Sequence, residues 1–204
     1  MALSELFIEQ IHGLLPENEA SALIKSLGES DPSVSVRINS VKCDKTPTEN
    51  LVPWCNRGFY LDQRPQFTFD PALHAGCYYV QDASSMFLAH AINLLVNKDE
   101  PVRYLDLCAA PGGKTTTAID TLPAGSLVVA NEIMSNRAQI LKENLIKWGN
   151  PSCVVTCNDS AAYAPLTHFF DIIAADVPCS GEGMMRKDEE AVAQWTPALV
   201  KECA

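Results

Sequence analysis

YLDLCAAPGGKTT, residues 104–116, decides the fold. An apolar strand runs into a cluster of small residues, and the cluster runs into a helix start, so VRYLDLCAAPGGKTTTAIDTL (102–122) reads as strand, glycine turn, helix. Working outward, SLVVANE (126–132) is a second strand and 135–148 a second helix, closed by Gly149 and Pro151. CVVTCND (153–159) and FFDIIAADVP (169–178) supply a third and a fourth strand. Strands alternating with helices argue for a parallel sheet in a doubly wound α/β layer. Beyond Gly183 a polar segment and one last helix lead to Ala204.

Upstream, residues 1–30 read as two helices, the second starting near Pro16 and ended by Gly28 and Asp31-Pro32. Leu3, Leu6, Phe7, Ile11 and Leu14 give the first helix an apolar face. VSVRINSV (34–41) alternates at the strand period. Residues 42–75, rich in proline and aromatics, suggest short strands and turns, and 79–96 has a helical pattern. A boundary near 75 divides the chain into an N-terminal helical or α+β domain (1–75) and a second domain (76–204).

Composition narrows the function. The 204 residues, 47% hydrophobic, can build a packed core, and no apolar run reaches the ~20 residues of a membrane span. The N-terminus lacks the basic-then-apolar order of a secretory signal. The eight cysteines form no C-x-x-C pair, so no metal is expected, and they suit a reducing cytoplasm. A net charge of -10 counts against a simple nucleic-acid-binding module and against a membrane-surface role. RNA binding would need a local basic patch or a further segment.

The glycine turn admits two readings. Gly113, Lys114 and Thr115 nearly complete a P-loop, and DIIAAD could serve as its magnesium strand, which would make the chain an NTPase. Against this, Cys108 stands where the first P-loop glycine belongs, and Pro111 removes an amide donor from the phosphate-wrapping turn. The second reading is a nucleoside-cofactor site. Gly112 and Gly113 let the backbone approach a ligand, and the N–H groups opening the helix favour a carboxylate or phosphate. Glu132, Asp159 and Asp176 finish three successive strands. One such acid is most simply a solvated loop residue or a helix cap. Three in register behind a glycine turn point to a site, with Glu132 placed for ribose hydroxyls and Asp159 for adenine. An acidic cleft suits a sulfonium better than ATP.

DVPCSGEGMMRKD (176–188) sets Cys179 three residues after Asp176. It is either a buried thiol in a turn or a nucleophile that needs nearby positive charge, for which Lys114, Arg186 and Lys187 are candidates. Taken together, YLDLCAAPGGKT and DVPCSGEG resemble the Sun-type (RsmB/RsmF-like) family of RNA cytosine-5 methyltransferases. SVRINSVK (35–42) and GCYYVQDASSM (76–86) are similar to that family's N-terminal segments, and the short N-terminal region is more like its RsmF branch.

The resemblance implies a Rossmann-like class I methyltransferase sheet behind a small α+β domain, with S-adenosylmethionine as cofactor and RNA, ribosomal RNA above all, as partner. It places Cys108, Ala109, Ala110, Pro111, Gly112, Gly113 and Lys114 around the methionine part of the cofactor. Glu132 takes the ribose, Arg137 a basic position after it, and Asp159 the adenine side. Asp176 is shared between cofactor and target base, and Cys179 assists release of the methylated base. The family's attacking cysteine lies in a Thr-Cys motif after a fifth strand, and this sequence reaches Ala204 before such a motif. The expectation is an incomplete sheet lacking its later strands, inactive without the nucleophile, with the exposed fourth strand promoting self-association. A P-loop-like NTPase and a non-catalytic S-adenosylmethionine-binding module stand as alternatives, and a DNA cytosine methyltransferase is disfavoured by the context of the Pro-Cys pair.

Overall fold

The computed structural model describes residues 3–29 and 32–203, so Asp31 and Ala204 lie outside the described residues. In chain order the helices α1 (Glu5–Leu14) and α2 (Glu17–Glu29) precede strands β1 (Val34–Ile38) and β2 (Gly58–Leu61). A one-turn helix α3 (Pro71–His74), strand β3 (Tyr78–Val80) and helix α4 (Phe87–Leu95) follow. Then come β4 (Arg103–Asp106), α5 (Gly113–Thr121), β5 (Leu127–Asn131), α6 (Ser135–Trp148), β6 (Cys153–Thr156) and β7 (Ile172–Ala174). Two short helices, α7 (Glu189–Gln194) and α8 (Pro197–Cys203), stand where the sequence suggested one.

The chain divides into two compact units, one of Met1–Pro32 with Val177–Ala204 and one of Ser33–Asp176. In the first, Ser4 caps α1 by accepting from the Phe7 N–H at 3.2 Å. Gly28 lies inside α2 rather than ending it. A glycine in a helix costs only about 1 kcal/mol, which packing overrides. Phe7, Met185 and Trp195 form the core of this unit, the two rings meeting edge to face at 5.1 Å.

The second unit holds two sheets. β2-β1-β3 is antiparallel, and β6-β5-β4-β7 is parallel. In β1 the apolar set Val36 and Ile38 packs with Phe59, while the alternate set Ser35, Arg37 and Asn39 is also buried. That polar face is a docking face. Arg37 bonds Thr116 of α5, and Asn39 donates to the Trp148 carbonyl at 2.9 Å. Tyr79 and Val80, expected to open a helix, instead belong to β3 against β1, with Arg37 opposite Tyr79. Tyr-Tyr-Val favours a pleated surface, and the open edge of β1 decides between two local options. The helix starts only at Phe87.

In the parallel sheet Tyr104, Val128, Cys153 and Ile172 share one face and pack against α4, α5 and α6. On the opposite face Val154 and Ile173, on the two edge strands, are 48% and 61% exposed, whereas Leu105 at the centre is buried. The order matters for function. β4 feeds α5 and β5 on one side, whereas β7 joins β4 from the other, which makes the β4–β7 boundary the switch point where such sheets bind ligands.

Candidate functional site

A cavity of about 250 Å³ opens at that switch point. The turn after β4 contributes Cys108, Ala109, Ala110 and Pro111, with Gly113 and Lys114 from the first turn of α5. Asp106 ends β4, Asp176 follows β7, and Tyr79, Gln81, Asp82 and Ser85 close the side nearest β3. A larger hollow of about 490 Å³ along α6 and β6 holds none of the residues expected from the sequence, and Lys142 is its one charged side chain. The smaller cavity carries the chemistry.

The turn is held by its carbonyls. Asn131 Nδ2 donates to the Leu107 carbonyl at 3.2 Å, Arg137 Nη2 to that of Ala110 at 3.0 Å, and Asn144 Nδ2 to that of Pro111 at 2.8 Å. The Ala109 N–H donates to the Asn131 carbonyl at 2.7 Å. Gly112 caps α5 with φ +109°, a value that L side chains rarely adopt, and Leu141 Cδ1 lies 3.2 Å from where a Cβ would stand. The first N–H groups of α5 have no intrahelical partner and are available to an anionic group.

The charged residues differ in their surroundings. Lys114 Nζ pairs with Asp176 Oδ2, and both side chains reach solvent. Asp106 is buried, accepts from Thr115 Oγ1 at 2.6 Å, and has its carboxyl pushed up to about 6. Burial is the main cause and the Asp176 charge adds to it, while Thr115 and Lys114 oppose it. The Cys108 thiol is also pushed up, first by burial and then by Glu132, Asp106 and Asp176. Both causes disfavour its thiolate form.

Glu132, directly after β5, is 2% exposed. Its Oε1 accepts from the Met134 N–H at 3.0 Å. Its Oε2 has no hydrogen-bond partner, with Arg137 Nη1 at 3.3 Å as its charged neighbour. Asp159 is exposed and caps a short 3₁₀ turn, accepting from the Ala161 N–H at 2.8 Å. Thus Cys108–Pro111, Gly113, Lys114 and Asp176 come together in the cavity, and Gly112 shapes its turn. Glu132 and Arg137 stand behind the turn, and Asp159 lies outside the lining. Cys179 belongs to the other unit and is exposed.

Sequence reasoning missed Asp106, Tyr79 and Gln81. An acid set in an otherwise apolar strand was the available signal for Asp106. GCYYVQDASSM carries a resemblance as a segment and by itself assigns no residue a task.

A Rossmann-like parallel sheet with a glycine turn and acids at its switch point defines a class I methyltransferase fold. Solved structures bear this out. A methyltransferase homologue from Pyrococcus horikoshii is 26% identical, with TM-score 0.73 over 92% of this chain and 63% of its own. NSun6 from the same organism, solved with SFG, shares the fold at TM-score 0.77 and 17% identity, over 98% of this chain and 76% of its own. The family model of the 16S rRNA methyltransferases RsmB/F matches residues 92–204, more than half the chain, and the chain belongs to that family. The N-terminal domain of 16S rRNA methyltransferase RsmF matches residues 3–83. Among curated relatives, ribosomal RNA small subunit methyltransferase F of Erwinia tasmaniensis is 32% identical over 97% of this chain. Its counterpart in Photobacterium profundum is 33% identical over 99%. The chain spans 44% and 45% of the length of these two relatives.

Proposed function

We propose that the protein transfers a methyl group from S-adenosylmethionine to carbon 5 of a cytosine in RNA, with small-subunit ribosomal RNA as substrate. The carrying observation is the switch-point cavity, in which a carbonyl-braced glycine turn faces Asp106 and the Lys114–Asp176 pair. The names of the curated relatives support the same reading.

The residues fit this cofactor. The orphaned Oε2 of Glu132 is a buried acceptor still lacking a hydroxyl donor, as a ribose would supply. The opening N–H groups of α5 suit a carboxylate, and the acidic lining suits a cation. In the proposed arrangement the 108–114 turn holds the amino-acid part, Glu132 the ribose, Arg137 braces turn and acid together, and Asp159 takes the adenine side. When bound, the cofactor supplies an electrophilic methyl group. Lys114 keeps Asp176 oriented, and Asp176 stands near ring nitrogen 3 of the target base, where it stabilises the charge that develops. Carbon 5 becomes nucleophilic only when a thiolate adds to carbon 6. Cys108 is unsuited to that step, and Cys179 is assigned to release of the methylated base. Fixing the reacting groups in line supplies on the order of 7–11 kcal/mol in favourable cases.

The NTPase alternative loses support, because Lys114 is engaged by Asp176 and the acidic lining repels a triphosphate. Labelled methyl from S-adenosylmethionine should appear on cytosine when the full-length protein meets small-subunit ribosomal RNA. Label confined to protein, or on another base, would refute the proposal.

Further parts of the reading are proposals too. The eight free thiols fit a reducing cytoplasm. No described helix is long and apolar enough to cross a membrane. Self-association through the exposed edge strand β7 is expected to show in sedimentation, and a clean monomer would count against it. The division into domains 1–75 and 76–204 is part of the proposal; the family matches at 3–83 and 92–204 likewise fall in two parts but break between 83 and 92, and limited proteolysis distinguishes the two boundaries.

A further inference from the structure

The SVRINSVK and GCYYVQDASSM segments meet in a hydrogen-bond relay whose direction is set by Arg37. Arg37 is 1% exposed and a guanidinium can only donate. Its Nε donates to Gln81 Oε1 at 2.9 Å, so the amide of Gln81 has one permitted orientation, with Nε2 turned away from Arg37. Thr117 Oγ1 lies 3.1 Å from Gln81 Nε2 and 3.2 Å from Gln81 Oε1; with Oε1 already accepting from Arg37, Nε2 donates to the hydroxyl, which donates onward to the Gly113 carbonyl at 3.0 Å. A second branch reaches the same carbonyl. Arg37 Nη2 donates to Thr116 Oγ1 at 2.5 Å, which donates to Gly113 at 2.9 Å. Both branches end on the first residue of α5, where the cavity begins. Gln81 lines that cavity, and its Nε2 lies 3.5 Å from the place a Cβ on Gly113 would occupy.

An amide nitrogen carries two hydrogens, and Thr117 uses one. We infer that Gln81 is a binding residue of the cavity. Its remaining N–H joins the free N–H groups of α5 in gripping the carboxylate of the bound amino-acid part, and Arg37 is its positioning residue. This inference rests on reading the cavity as the S-adenosylmethionine site. It assigns a task to the buried arginine of β1: to present donors rather than acceptors at the carboxylate end of the cavity.

The test compares S-adenosylhomocysteine with 5′-methylthioadenosine, which keeps the nucleoside and lacks the carboxylate, by calorimetry on the full-length protein. Gln81→Glu puts an acceptor where the donor stood. It should weaken S-adenosylhomocysteine about tenfold or more and leave methylthioadenosine within about twofold. Arg37→Lys keeps the charge beside Asp120 but cannot serve both branches. It should weaken S-adenosylhomocysteine about fivefold with the same selectivity. Asp120→Asn loosens the ion pair without touching Gln81, and should lower the thermal midpoint while sparing both affinities. If Gln81→Glu weakens both ligands equally, or neither, the inference is overturned, the first result marking a packing role. If the unaltered protein binds neither ligand, the cofactor reading itself fails, and the inference with it.

Discussion

Asp106→Asn should stabilise the protein at neutral pH and leave its stability almost unchanged in acid. Asp106 is 2% exposed, and burial raises its carboxyl from 3.8 to about 6. The folded chain therefore keeps this proton to a higher pH than the unfolded chain does. Between about pH 4 and 6 the folded state binds more protons, so stability falls as the pH rises through that window, and the loss is complete above about 6. A displacement of about two pH units corresponds to about 3 kcal/mol. Asparagine is close to isosteric, can still accept from Thr115, and carries no charge to desolvate.

The assay is urea unfolding of both proteins across pH 4 to 8. The variant should gain about 1–3 kcal/mol at pH 7.5, and the two curves should converge near pH 4. Asp120, whose pKa burial also raises, is present in both proteins and cancels in the difference. A gain independent of pH, or a variant that is weaker at pH 7.5 than at pH 4, would show that desolvation of Asp106 is not what the site costs. In parallel the variant should bind S-adenosylmethionine about tenfold more weakly at pH 7.5, because a carboxylate facing a cationic sulfonium has been lost, while the uncharged thioether S-adenosylhomocysteine should be affected less.

Three further outcomes are expected. Glu132→Gln should weaken S-adenosylhomocysteine by about tenfold or more in calorimetry while changing the unfolding midpoint little, since Oε2 has no internal hydrogen bond to lose and its ion-pair partner Arg137 is half exposed; equal affinity would remove Glu132 from the site. Arg37→Met should destabilise by about 3–5 kcal/mol in urea, because it strands a buried carboxylate on Asp120, and a loss below about 1 kcal/mol would contradict the relay. Gly112→Ala should cost about 1–2 kcal/mol in the same assay, for its φ of +109° and the 3.2 Å approach to Leu141; an unchanged midpoint would mean that the turn relaxes freely.

Much of the parallel sheet was legible because its signals are local. The 135–148 helix runs as its apolar spacing and Gly149 prescribe, with Gly149 at φ +90°. What stayed hidden depended on partners distant in sequence. Tyr78–Val80 becomes a strand because β1 lies beside it. The alternation of VSVRINSV marked a strand but could not show that its polar face is buried against α5 and α6. Three acids at strand ends suggested one site. Yet strand ends fix the height of a residue along the sheet and not its direction, and Asp159 uses its place to cap a turn. Asp106 was passed over because a strand pattern tolerates a single polar residue without saying why it is there.

The buried carboxylates separate structure from function. Asp120 is met by Arg37 and by Trp148 Nε1 at 2.9 Å, so the protein itself supplies its partners. Asp106 has one hydroxyl donor among its side-chain contacts and a raised pKa, and Glu132 keeps an oxygen without a hydrogen bond. A chain shaped for stability alone would have completed the hydrogen bonding of these two, Glu132 having Arg137 as an ion-pair neighbour only, or replaced them with apolar residues. Both under-compensated acids flank the 108–114 turn, and the groups that would complete them, a cation for Asp106 and a hydroxyl for Glu132, are those a sulfonium nucleoside carries. The incomplete compensation on the two sides of one turn is thus a physical statement of what the turn is built to receive.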